Sequence, residues 1–167
     1  KQKTAYEIRN CDWSSDVCSS DLLGNPTENI PWQAYHDIKN HPDIQWTIPL
    51  SLGDSHGIYR VVGTDHNFYE HFRYSNQEKI KFKIGRQAHA PLETVIGADV
   101  AASNNYKIGD SITLSHGAEA GVSFHNHDDK PFTIVGILQA TGTPVDRSLY
   151  ISLEGMEAIH EGWEDGD

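Results

Sequence analysis

The residues best suited to chemistry lie in one polar stretch, where His125 and His127 are followed by Asp128 and Asp129 and preceded by His116. Two histidines at i and i+2 on an extended segment point to the same side, and zinc accepts both imidazole and carboxylate ligands. The sequence therefore offers His116, His125, His127 and Asp128 as candidate metal ligands. The competing interpretation is a solvated polar loop, because structural zinc sites usually draw their ligands from two separated pairs.

Signatures of catalysis are weak elsewhere. His160 and Glu161 begin like the H-E-x-x-H helix of zinc proteases, but Glu164 stands where the second histidine is needed. The sequence has no nucleophile elbow, phosphate-binding loop or dinucleotide fingerprint. We therefore expect no enzyme activity and no cofactor. Two further histidine pairs are interpreted as surface residues of helices: His36 with His41, and His66 with His71.

Two other features allow a functional or a structural interpretation. Asp146 and Arg147 follow Pro144 and could contact a partner, but a local ion pair that fixes a turn is favoured. Four aromatic residues could line a groove for a lipidic or peptide substrate, although core packing is the ordinary explanation. These aromatic residues are Trp32, Trp46, Phe68 and Phe72.

The composition is that of a folded protein with an acidic surface. The 167 residues are 37% hydrophobic and carry a formal net charge of −11. Such a charge repels nucleic acid and anionic membrane surfaces, so we expect neither as a partner. The longest apolar run, Phe132–Leu138, falls far short of the roughly 20 residues that span a bilayer.

The first 22 residues resemble translated sequencing-adaptor DNA. The arms KQKTAYEI and CDWSSDVCSSDL flank Arg9 and Asn10, which would correspond to a variable index. Both cysteines, Cys11 and Cys18, fall within this segment, so they support neither a disulfide nor a metal site. We expect residues 1–22 to be disordered, residues 23–167 to be the genuine domain fragment, and the natural termini to lie elsewhere.

Hydrophobic patterning positions these candidate residues in a mixed fold. Ile44–Leu50, Gly57–Gly63, Lys79–Ile84 and Phe132–Leu138 favour strands, and Gly97–Asn105 favours a helix. Further short elements are a helix after Pro31, a helix capped by Asp65, strands at Ser111–Leu114 and Leu149–Ser152, and a last helix capped by Ser152. Without regular βαβ alternation, this order predicts an α+β fold. We expect two lobes that divide near residues 79–91.

Three passages carry a family resemblance. Glu93–Leu114 (ETVIGADVAASNNYKIGDSITL) and Lys130–Glu154 (KPFTIVGILQATGTPVDRSLYISLE) are similar to signature segments of MacB-type periplasmic core domains. Gly63 and Thr64 in YRVVGTDHNFYEHF resemble a third such passage. These domains belong to the FtsX-like ABC transporter permeases.

The resemblance implies a two-lobed α+β domain, with a mixed-sheet lobe and a β-rich lobe, on the outer side of a bacterial inner membrane. It implies flanking membrane helices, a second permease subunit, and a separate cytoplasmic ATPase whose hydrolysis the domain couples to export, lipoprotein or peptide handling, or signalling. The alternative is a soluble extracytoplasmic metal-binding module that uses the His125–Asp129 loop. An unrecognised hydrolase ranks third, because no catalytic constellation is assembled.

Overall fold

The computed structural model describes residues 30–116 and 130–160. The described part of the chain falls into two units, which divide between Thr47 and Ile48. In the first unit, helix α1 spans Trp32–Lys39, with Pro31 at its N-cap and Asn40 at its C-cap. Proline suits the start of a helix because no intrahelical acceptor exists there for its missing N–H. None of the residues in α1 is buried.

The second unit contains the other elements. Its described helices are α2 (His66–His71), α3 (Ala98–Asn104) and α4 (Leu153–His160), with a 3₁₀ turn at Pro144–Arg147. Its strands are β1 (Ser51–His56), β2 (Tyr59–Thr64), β3 (Arg73–Tyr74), β4 (Glu78–Lys79), β5 (Phe82–Gly85), β6 (Glu93–Ile96), β7 (Ser111–Ile112), β8 (Ser115–His116), β9 (Phe132–Leu138) and β10 (Ser148–Ser152).

One mixed sheet organises this unit. Its strands lie in the order β5-β9-β6-β10-β2-β1-β8, and β7 also pairs with β9. The pairs β6 with β9 and β10 with β2 are parallel, whereas the other pairs are antiparallel. Strands β3 and β4 form a separate two-stranded sheet. The α+β prediction is confirmed.

Both faces of the sheet are covered. Successive residues of its central strands alternate between two buried clusters, so that Leu149 and Ile151 join one cluster and Tyr150 joins the other. Val100 of α3 and Met156 of α4 pack in the first cluster. In the second cluster, the packing partners include Phe68 of α2. Burial on both faces explains why β9 and β10 read as nearly continuous apolar runs.

Several predicted elements are confirmed by the described residues. Strand β9 has the predicted bounds, and α3 and β10 differ from prediction by one residue at their ends. The Asp65 carboxylate accepts a hydrogen bond from the Asn67 amide at 2.9 Å, as expected for the cap of α2. Likewise, the Ser152 hydroxyl accepts from the Gly155 amide at 2.9 Å at the start of α4.

Other predicted elements are wrong. Residues 44–50 form neither helix nor strand, and β1 instead spans Ser51–His56. The Lys79–Ile84 alternation is split between β4 and β5. The lobe boundary expected near residues 79–91 is also wrong, because β5 and β6 on either side of it join the same sheet and the chain divides after Thr47.

Candidate functional site

The proposed metal ligands fall almost entirely outside the described residues. His125, His127 and Asp128 lie outside them, and so do residues 1–22, whose expected disorder stays a prediction. The backbone of His116 lies in β8, where its Cα is paired with that of Asp54 in β1. Within residues 30–116 and 130–160, no group of three or more histidine, cysteine, aspartate or glutamate side chains is arranged to hold a metal. The metal interpretation therefore stays a prediction.

A cleft of about 230 Å³ opens where the parallel strands β2 and β10 end. Its polar lining includes Thr64, Asp65, His66, His89 and Glu154. Asp65 caps α2, and the Thr64 hydroxyl donates to the Pro49 carbonyl at 2.8 Å. Asp65 and Thr64 therefore have structural partners at the start of α2 and the end of β2.

An ion pair fixes the loop that forms one wall of this cleft. Arg86, just after β5, donates two hydrogen bonds to Glu93 at the start of β6, at 2.6 and 2.8 Å. The same carboxylate accepts from the backbone amides of His89 at 2.8 Å and Ala90 at 3.2 Å. The Arg86 hydrogen bonds, followed by the His89 amide, lower the pKa of Glu93 to about 2. Glu93 is thus charged at neutral pH and holds residues 86–93 closed as a loop.

The Asp146 carboxylate fixes the turn that precedes β10. Only 4% of Asp146 is exposed. Its carboxylate accepts hydrogen bonds from the amides of Thr141 at 2.8 Å and Gly142 at 2.7 Å, and from the Thr141 hydroxyl at 2.8 Å. The prediction that Asp146 fixes a turn is confirmed, but backbone amides of the turn are the partners rather than the expected Arg147.

Two of the resemblance segments meet at Gly97. A Cβ at this position would lie 2.3 Å from the Asp146 carbonyl oxygen and 2.4 Å from that of Val145, too close for any side chain. The Gly97 amide donates to the Ser148 carbonyl at 2.9 Å. The start of α3 therefore packs directly on the backbone of the 3₁₀ turn, which requires glycine.

Two of the aromatic residues suggested as a groove, Phe68 and Phe72, pack together within the second unit. Phe68 is 3% exposed and stacks on Tyr150 with ring centroids 4.6 Å apart, and Phe72 packs on Phe68 at 5.1 Å. Burial raises the pKa values of the Tyr69 and Tyr150 phenols in the same cluster. Trp32 is 64% exposed on α1, in the other unit. Core packing is thus the correct interpretation of Phe68 and Phe72.

A family comparison decides the assignment. The sequence model of the MacB-like periplasmic core domain matches residues 13–165. The chain belongs to the MacB-like periplasmic core domain family. The family resemblance inferred from Glu93–Leu114 and Lys130–Glu154 is therefore confirmed.

Among solved structures, this MacB-like domain is similar to the extracellular domain of the noncanonic ABC-type transporter YknZ from Gram-positive bacteria. The two sequences are 10% identical, with a TM-score of 0.39. The likeness covers 66% of this chain and 54% of the YknZ domain, so the chain spans about half the length of that structure. No curated protein is significantly similar in sequence.

The sequence alone does not reveal the residues that join separate segments of the MacB-like domain. The Arg86–Glu93 pair spans seven positions and carries no sequence signature, and the role of Gly97 depends on a turn about 50 residues away. Gly155 is similar, because a Cβ there would lie 2.3 Å from the Pro91 carbonyl oxygen. Such close approaches appear only when distant segments are folded together.

Proposed function

We propose that this MacB-like domain is the extracytoplasmic part of a bacterial ABC transporter permease. In this proposal it carries no catalytic chemistry and couples ATP hydrolysis by a separate cytoplasmic ATPase to export, to lipoprotein or peptide handling, or to signalling across the inner membrane. The observation that carries the proposal is the family match over residues 13–165. A second permease subunit and flanking membrane helices are the further partners that this role requires.

The mechanical requirement of this role is a rigid link between helix α4 and the sheet. Helix α4 is the last described element, and its residues Met156 and Ile159 are 7% and 3% exposed. The Lys130 ammonium donates to the Ala158 carbonyl at 2.6 Å, near the end of α4. A displacement of α4 would therefore carry the sheet with it, as in rigid-body transmission.

The loop that Glu93 holds, residues 86–93, adds a second contact between helix α4 and the rest of the unit. Gly155, in the first turn of α4, lies against the Pro91 carbonyl, and Gly63 of β2 lies against Met156. Interfaces packed this closely move as one body rather than deform gradually. These contacts support a role as a moving part of a transporter.

Residues 1–22 are proposed to be adaptor-derived and to have no part in this function, although the family match begins at residue 13. No helix among residues 30–116 and 130–160 has the length and apolar character needed to cross a bilayer. The membrane-embedded parts are therefore proposed from the family alone.

The test is a distance measurement in the full-length permease assembled with its ATPase in nanodiscs. A spin label replaces the exposed Ile58 of each permease subunit, and the distance between labels is measured by pulsed electron resonance without nucleotide and with ATP and vanadate. We expect the distance distribution to shift by several ångströms. An unchanged distribution, with the ATPase shown to be trapped, would contradict the coupling role.

A further inference from the structure

One edge of the large sheet is open within the described residues. Strand β5 pairs with β9 on one side, and no described strand pairs with it on the other. Residues 107–112 continue the same edge, because the Gly109 amide donates to the Ile134 carbonyl at 2.8 Å and β7 pairs with the start of β9. Both segments lie on the side of β9 opposite β6, so they form one continuous border, here named the β5 edge.

The β5 edge is apolar and exposed at its centre. Ile84 is 55% exposed in β5, and Ile108 is 40% exposed. The two segments lie close together, since a Cβ on Gly85 would be 3.0 Å from the Ile108 Cδ1 atom. An unpaired strand edge that also exposes large apolar side chains is a template for pairing with another extended chain.

The β5 edge is also basic, although the chain as a whole is acidic. Lys81, Lys83, Arg86 and Lys107 lie along or beside it and Asp110 is its exposed acidic residue, in a chain with 13 basic and 24 acidic residues. Glu78 pairs with Lys81, and Glu93 pairs with Arg86. The ammonium groups of Lys83 and Lys107 have no ion pair among the described residues and remain available to a partner.

We propose that the β5 edge is a docking site for an extended acidic segment of a partner protein, which adds to the sheet as a further strand beside β5. Backbone hydrogen bonds would supply affinity, and the lysines would select the partner. Lys83 in β5 and Lys107 in the neighbouring segment are the lysines of the edge that have no ion pair among the described residues, so carboxylates of the added segment would pair with these two. This docking site depends on the fold and not on the proposed transport role.

Pairing of two copies through the same edge is disfavoured. Lysines of one copy would face those of the other, and like charges directly opposite in a sheet are destabilising. Charge complementarity therefore points to an acidic partner of different sequence.

The test is an NMR titration of the 167-residue chain at low salt with a capped eight-residue peptide of alternating glutamate and threonine. Its counterpart of alternating lysine and threonine is the control ligand. We expect the glutamate peptide alone to shift the amide resonances of residues 82–86 and 107–110. Raising the salt concentration should weaken this binding, because exposed charge pairs are screened.

Two matched variants locate the charge requirement. The double substitution Lys83→Glu with Lys107→Glu should weaken binding about ten-fold, because it removes two exposed ion pairs and places like charges opposite the glutamate peptide. The control, Lys39→Glu with Arg60→Glu, makes the same charge change at exposed positions outside the edge and should leave binding unchanged.

Glutamate-peptide shifts scattered over the surface, equal weakening in both variants, or shifts of the edge resonances by the lysine peptide would overturn the proposal. Edge resonances that shift with protein concentration alone would instead indicate self-association and also overturn it. The wild-type titration decides these points even if the double variant loses its folded spectrum.

Discussion

Replacing Asp146 by alanine tests whether the turn before β10 is held by one carboxylate. In the folded protein the Asp146 carboxylate is nearly inaccessible and accepts from the amides of Thr141 and Gly142 and from the Thr141 hydroxyl. A hydrogen bond to a charged group contributes about 1.5 kcal/mol or more. The hydroxyl can turn to Thr143, whose Oγ1 atom is 2.7 Å away, but the two amides have no such alternative.

The expected loss in the free energy of unfolding is therefore about 3 kcal/mol, two amide hydrogen bonds at about 1.5 kcal/mol each. Asp146→Asn should cost roughly half as much, because one carbonyl oxygen remains to accept. The matched control is Asp110→Ala, which removes an exposed carboxylate that accepts from the Lys107 amide at 2.8 Å. That control should cost no more than about 1 kcal/mol.

Urea unfolding followed by far-ultraviolet circular dichroism measures these losses, provided that the transition is two-state. A loss below about 1 kcal/mol for Asp146→Ala, or one equal to that of Asp110→Ala, would refute the reasoning. A changed slope with an unchanged midpoint would also refute it, because the slope reports the surface exposed on unfolding and the expected effect is on stability.

Three further predictions concern the contacts that join distant segments. Gly97→Ala should lower the midpoint of thermal unfolding by several degrees or prevent folding, because the added Cβ would meet two carbonyl oxygens. Scanning calorimetry measures the midpoint, and an unchanged value would contradict the close approach. The folded pKa of Glu93 is lowered to about 2, so the stability it contributes is full above its unfolded pKa of about 4.3 and lost as the pH falls toward 2. Glu93→Gln should therefore flatten the stability curve between about pH 5 and pH 2, and a wild-type slope in the variant would exclude Glu93 as a source of that slope. Finally, a ring nitrogen of His56 lies 2.8 Å from the Tyr106 hydroxyl. A double-mutant cycle of His56→Ala and Tyr106→Phe should therefore give a coupling energy of about 1 kcal/mol. Additive effects would show that this contact contributes nothing to stability.

The sequence was most informative where local chemistry decides the structure. Asp65 and Ser152 were identified as caps because a short oxygen-bearing side chain before an apolar run has few other roles. The strand at Phe132–Leu138 could be predicted because so continuous an apolar run suits a strand that is buried on both faces. The passages that carry the family resemblance include these segments, so the wrongly predicted elements did not affect it.

Errors arose where tertiary contacts override the local pattern. Ile44–Leu50 alternates as a strand should, yet strand β1 forms from the following polar residues because they pair with β2. Ile84 has the period of a buried residue but lies at the sheet edge and is 55% exposed. Glu93 shows no sign in sequence of its bond to Arg86, since no periodic pattern encodes a pairing between loop ends.

The central claim, that this MacB-like domain belongs to a membrane permease, is tested most directly by sequencing the gene from source DNA across both ends of residues 23–167. The account predicts that coding sequence for an apolar segment of about 20 residues precedes Leu23 in place of the adaptor-like stretch, and that further such segments follow Asp167. A cleavable signal peptide before Leu23 and a stop codon soon after Asp167 would contradict it.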